Sequence, residues 1–314
     1  MGLWLVLFLI EHLLVNSQAA LLLGDSGKGF VDLVNGIHNL PYLQVIELVL
    51  LGVPFAVHMV WGIKRLFTAK ANSYKSDGSK PSLRDLPRNH AYTWQRITSW
   101  ILVFGVIGHV AKFRFIDYPV SVSEGSKSSY FVSISLDNGL YTVADRLGVK
   151  LYDQKALDAA KQEMEERAHE ATLLEAAETI RKEPAPQSYD AQKALILDSA
   201  QKYKAKSQWT SALLSFPLKP GEVVAEANDF GTASLLTVRD TFKYPIYVAL
   251  YTIFVLATCF HAFNGLWTFL ITWGVILKMS AQRSMVTVCY AIMAIIIFLG
   301  LVAIWGTYWL NLKY

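Results

Sequence analysis

Four apolar stretches of this chain each carry a single histidine, at His12, His58, His109 and His261. The last stretch, Tyr244 to Leu277, contains no charged residue and is long enough to cross a bilayer. Ionisable groups at membrane depth are costly and mark a pathway, a partner or a ligand. One buried histidine bonded to a neighbouring carbonyl would be ordinary. One in each of four separate runs points to ligation. The other three, His38, His90 and His169, sit in polar segments and read as solvated side chains.

The composition fits a multi-span membrane protein with a polar region attached: 53% of the 314 residues are hydrophobic, with 9 Trp, 15 Tyr and 16 Phe. Its mean hydropathy is +0.32. A net charge of +4 with no basic tract argues against nucleic acid as a partner. Cys259 and Cys289 lie inside apolar runs, offer no metal or disulfide spacing, and form no Cys-x-x-Cys-His site for a c-type haem.

Hydropathy predicts five spans, at about 1–23, 41–66, 94–116, 243–277 and 284–311. The first holds Glu11 and His12 at its centre and has neither a basic n-region nor a small-residue cleavage pattern, so it reads as a retained membrane helix. It opens abruptly on Gly2-Leu3-Trp4, and a basic leader is expected ahead of it. Seven basic residues follow the second span, from Lys64 to Arg88, against Lys28 alone in the loop before it. The positive-inside rule therefore places that loop, the N-terminus and the Lys278/Arg283 connection in the cytoplasm.

The chain then divides into 1–116 with three spans, an insertion at 117–242 on the non-cytoplasmic side, and 243–314 with two more. The insertion is polar, α/β or mostly helical. Tyr130 to Leu136 alternates like a strand, Asp153 to Lys182 reads as a solvated helix, and Pro184-Ala185-Pro186 ends it. Its expected role is an external elaboration or docking surface. The fifth span has no histidine and no charge, and with Tyr308 and Trp309 near its end it is predicted to be a packing helix.

Depth separates the histidines into two layers. At about 1.5 Å per residue, His12 stands roughly 18 Å from the cytoplasmic start of the first span and His109 roughly 20 Å beyond Arg96, whereas His58 is only about 9 Å from Lys64. His261 is at about 9 Å if Trp267 marks the interface and deeper if Lys278 does. Elimination pairs it with His58. Facing imidazoles inside a four-helix bundle suit a bis-histidine haem, and two layers predict two haems b forming an electron path across the membrane. Gly52, Gly62, Gly105, Gly108 and Gly265 allow a flat macrocycle, or a second helix, to come close. Gln95, Arg96 and Ser99 cluster at the cytoplasmic start of the third span, where Arg96 is a candidate partner for a propionate of the inner haem.

Several ordered motifs carry a family resemblance: Glu11-His12-Leu13-Leu14-Val15-Asn16, His58-Met59-Val60-Trp61-Gly62, Phe67-Thr68-Ala69-Lys70-Ala71-Asn72, Gln95-Arg96-Ile97, Gly108-His109-Val110, and Phe260-His261 with Asn264-Gly265-Leu266-Trp267. The chain resembles the five-helix, dihaem cytochrome b anchor of succinate dehydrogenase and fumarate reductase. The resemblance implies an all-α membrane protein of the bacterial cytoplasmic membrane. It implies axial ligation by His58 and His261 at the inner haem and by His12 and His109 at the outer one. Implied partners are a flavoprotein subunit, an iron-sulfur subunit and a membrane quinone, usually menaquinone, within the respiratory chain and the tricarboxylic acid cycle. The long insertion is not part of the family pattern.

No Gly-x-Gly-x-x-Gly fingerprint and no iron-sulfur cysteine spacing occur, so the chain is expected to carry electrons rather than to hold the succinate site. Glu11 and Glu47, the carboxylates within the spans, are the candidates for proton exchange at an outer quinone site. The cytochrome b anchor of a hydrogenase or formate dehydrogenase shares the haem expectation. A proton-coupled transporter is a further alternative, for which no internal repeat is visible.

Overall fold

The computed structural model describes the chain except for residues 23–25, 69–72, 74–82, 125–126, 183–190 and 314. In order, the elements are α1 (Gly2–Ser17), α2 (Lys28–His38) and α3 (Leu43–Glu47), which continues through a π-helical turn, Leu48–Gly52, into α4 (Val53–Thr68). Next, α5 (Pro87–Val110) runs into a second π-helical segment, Ala111–Ile116. A mixed region follows: β1 (Val120–Glu124), β2 (Lys127–Ser135), α6 (Asn138–Leu147), β3 (Lys150–Tyr152), α7 (Gln154–Glu166), α8 (Thr172–Lys182), α9 (Ala191–Leu213), β4 (Glu222–Ala227) and α10 (Phe230–Thr241). The chain closes with α11 (Pro245–Thr272), α12 (Met279–Leu301), a third π-helical segment, Val302–Gly306, and α13 (Thr307–Lys313). Residues 1–116 with 241–314 form one unit, and residues 117–240 form another.

Four helical stretches are long and apolar enough to cross a membrane: Leu43–Arg65, Arg88–Ile116, Pro245–Thr272 and Met279–Lys313. The fifth expected span differs. α1 is apolar but has 16 residues, short of the ~20 that cross a bilayer. Pro87 and Pro245 each open a helix at a first-turn position where the missing N–H costs nothing. The overlong fourth run is cut by its own sequence. Gly274 takes a left-handed φ of 71°, and Ile276 N donates to Leu270 O at 3.2 Å, a glycine-based stop that ends α11 at Thr272. The Pro184-Ala185-Pro186 stop and the Phe67–Asn72 motif beyond Thr68 lie outside the described residues.

In the apolar unit, α11 is central and packs on α5, α12 and α1, while α1 also packs on α12 and α4. Two glycines make these contacts possible. A Cβ on Gly300 would stand 2.7 Å from Val255 Cγ1, and one on Gly105 would run into the Phe254 ring. Gly105 thus seats a neighbouring helix, one of the two roles its sequence allows. Among the described residues no comparable packing joins α4 to α5, so the bundle of α1, α4, α5 and α11 is open along one seam.

The second unit is built on an antiparallel sheet of order β1-β2-β4-β3. Alternate residues of β2 and β4 face opposite sides. Val132, Ile134, Val223 and Ala225 pack with Leu140 of α6 and Leu236 of α10, and Phe131 and Val224 pack with Leu157 of α7 and Leu213 of α9. Asp137 caps α6 at Leu140 N, 2.9 Å, and takes a bidentate pair from Arg239 at 2.9 and 2.8 Å. The stretch Asp153 to Lys182, expected as one helix, is two, separated by a 3-10 turn at Ala168–Ala171.

Candidate functional site

Each of the four histidines sits on a different helix of the open bundle, and they meet in pairs. His12 on α1 and His109 on α5 have ring centres 5.7 Å apart with planes at 87°. His58 on α4 and His261 on α11 have ring centres 6.1 Å apart with planes at 84°. A Cβ on Gly2 would lie 3.6 Å from His58 Cε1, so the second pair is level with the first turn of α1. His12 is about 15 Å further along that helix. Among the described residues no group of three or more His, Cys, Asp or Glu side chains gathers as a metal site, so the geometry is two pairs and not a tetra-histidine cluster.

The spacing can be tested against a metal held between two imidazoles. Metal–imidazole bonds of ~2.0–2.1 Å on both sides, plus a ring radius each, separate ring centres by roughly 6 Å. Both pairs meet that distance. The histidines come from opposite sides of the seam, one from α1 or α4 and one from α5 or α11, so together they would hold a metal between them. The residues therefore fit haem on donor type and spacing.

A hydrogen-bonded chain braces the His58/His261 pair. Gln95 Nε2 donates to His261 O at 2.9 Å, Asn264 Nδ2 donates to Gln95 Oε1 at 2.8 Å, and Arg88 Nη2 donates to Asn264 Oδ1 at 3.1 Å. Arg88 also lies over the Trp267 ring, 3.7 Å from its centre. Trp267 Nε1 donates to Gln282 O at 3.1 Å, which sets Trp267 level with the first turn of α12. Gly265 faces Gln95, whose Nε2 would be 3.6 Å from an added Cβ, so here too the glycine serves a helix contact. Thr98 Oγ1 lies 3.5 Å from His261 Nδ1. Ser99 spends its hydroxyl on Arg96 O at 2.7 Å.

Aromatic rings surround the His12/His109 pair. Phe8 stacks on His12 with centres 5.4 Å apart, Phe113 is 5.2 Å from His109, and Tyr251 Oη lies 3.3 Å from His109 Nδ1. Glu47 accepts from Arg114 Nη2 at 2.9 Å, both side chains being about 40% exposed. Glu11 is on the exposed side of α1 beside His12. Arg88, Thr98, Arg114 and Tyr251 were not singled out as site residues from sequence. Phe8 and Phe113 were discoverable, each standing four residues from a histidine on one helix face.

No family model matches the chain, and no solved structure matches it. Over 108 residues it is 38% identical to the succinate dehydrogenase cytochrome b558 subunit of Bacillus subtilis (strain 168), which covers 34% of this chain and 48% of that protein. The match thus spans about half the length of the curated relative.

Proposed function

We propose that this chain is the membrane-anchor cytochrome b subunit of a succinate:quinone oxidoreductase, carrying two bis-histidine haems b between an iron-sulfur subunit and membrane quinone. The observation that carries the proposal is the pairing of four intramembrane histidines at two depths, each pair at the ring separation a metal–imidazole sandwich needs. The partial likeness to a succinate dehydrogenase cytochrome b558 subunit favours this enzyme class over the anchors of hydrogenases or formate dehydrogenases.

In this reading His58 and His261 hold the inner haem, and His12 and His109 the outer one. When bound, each haem supplies a one-electron Fe(III)/Fe(II) couple. The chain's own work is positional. The Gln95–Asn264–Arg88 brace fixes the turn that carries His261, the apolar helices exclude water from the path, and Trp267 with Arg88 holds the inner end of α11 to α5 and α12. Arg96 remains the candidate for a propionate. Quinone, with menaquinone the expected type, would arrive from lipid at the outer layer. There Glu11 presents a carboxyl beside His12, and Glu47 is held by Arg114. Residues 117–240 lie on the non-cytoplasmic side, and the N-terminus is cytoplasmic.

Reduced-minus-oxidised spectra of membranes bearing the full chain test the reading. Two b-type components and co-purification of a covalent flavoprotein with an iron-sulfur protein are expected. Absence of b-type absorbance refutes the haem assignment, and a nickel or molybdenum partner refutes the enzyme class.

A further inference from the structure

The two ligands of the outer pair differ in what stands behind them. Behind His109 is a phenol: Tyr251 Oη lies 3.3 Å from Nδ1, with ring centres 5.9 Å apart at 68°. The phenol is held by rings on several sides, since Tyr251 packs on Phe242 at 5.4 Å, on Phe254 at 6.1 Å and on Phe113 at 6.2 Å. Phe254 can lie there because Gly105, one helical turn before His109, has no Cβ to meet it. Among the described residues His12 has a stacked Phe8 but no hydrogen-bond partner for its ring.

An imidazole that binds a metal through Nε2 keeps its proton on Nδ1, and an acceptor for that proton fixes the ring's tautomer and rotation and makes it a stronger donor to the metal. We infer that Tyr251 is a positioning residue for His109: its phenol oxygen accepts the Nδ1–H bond, orients the ring toward His12 across the seam, and lowers the reduction potential of the outer haem. This inference rests on the proposed haem ligation and extends it to a residue on a third helix, α11, that touches no haem ligand position in sequence. The direction follows from charge. A more electron-rich ligand favours Fe(III) over Fe(II), so removing the acceptor raises the potential.

Tyr251→Phe keeps the ring and its three aromatic contacts and deletes only the oxygen. Redox titration of the full chain in membranes is expected to show both haems retained, with one component shifted upward and the other unmoved. Loss of such a hydrogen bond changes the oxidised-to-reduced ratio by roughly two- to twelvefold, which is about 18 to 64 mV for a one-electron couple. The shifted component must be the one that survives in a His58→Ala background. Its low-spin electron paramagnetic resonance signal should also change as the His109 plane is released. Phe254→Leu disturbs the same packing and leaves the oxygen in place, so it should not move the potential. Retention of both haems with no shift in Tyr251→Phe overturns the inference and leaves the haem assignment standing, as does an equal shift in Phe254→Leu. Absence of b-type haem from the unaltered chain overturns both.

Discussion

His12 and His261 stand in different layers, so each should control one cofactor. His12→Ala is expected to remove one b-type component and leave the other, and His261→Ala to do the reverse, read in low-temperature difference spectra with separate redox titration of the survivor. Gln95→Leu is expected to keep both haems but to loosen the inner one. It removes the donor to His261 O and leaves Asn264 Nδ2 without its acceptor, at a cost of about 1–3 kcal/mol for a buried unpaired group. Faster loss of the inner component in detergent would register that. At this scale the sequence was informative where chemistry is rare. An imidazole in a run of Leu, Val and Phe stands out alone, and helix rise sorts His12, His58 and His109 by depth, leaving His261 to be paired by elimination. Arg88, Thr98 and Tyr251 do not stand out, because their roles depend on how α5 and α11 are rotated against one another, and rotation is not written in either segment by itself.

Among the elements, hydropathy placed the apolar stretches but misjudged their ends. α5 begins at Pro87, well before the apolar part, because the helix continues through polar residues that leave the hydrocarbon. α11 stops at Thr272 because Gly274 ends it. The π-helical segments at Leu48–Gly52, Ala111–Ile116 and Val302–Gly306 were illegible, since a wide turn changes backbone pairing without changing composition. The α12 packing face depends on Gly300, and Gly300→Leu should overpack against Val255 and Leu13, costing about 1–3 kcal/mol and lowering the thermal midpoint in detergent.

In the other unit, order β1-β2-β4-β3 brings together residues far apart in sequence at Glu226, which is 7% exposed. It accepts from Ser129 Oγ at 2.7 Å, Trp209 Nε1 at 3.0 Å and Tyr152 Oη at 2.7 Å, and Lys150 Nζ lies 3.6 Å away. Burial alone would push this carboxyl up, but the bonds from Trp209, Ser129 and Tyr152 and the Lys150 charge outweigh it and hold the carboxyl below its usual range. With the folded value below the unfolded one, the network's stabilisation is complete above the unfolded value and drains as pH falls through the folded one. Hydrogen exchange of the β4 amides should therefore accelerate below the ordinary carboxylate range. Glu226→Gln should lack that acid step and lose about 1.5–3 kcal/mol at neutral pH.

For the whole molecule, the alternation of spans makes a testable map. Single cysteines introduced at exposed sites in 117–240 should react with a membrane-impermeant maleimide from the non-cytoplasmic side, and cysteines near Arg84 only after permeabilisation. Reaction of both from one side would overturn the topology. The open seam between α4 and α5 has a further consequence for the life of the chain. α1, α5 and α12 each pack on α11, whereas among the described residues the main packing of α4 is against α1, so the proposed haems would be the cross-members that fasten it. A chain made in a cell short of haem would leave α4 as a loose arm, open to membrane proteases. Cofactor supply would then set the protein's abundance after synthesis: pulse-chase in haem-limited cells should show a shortened half-life that added haem restores.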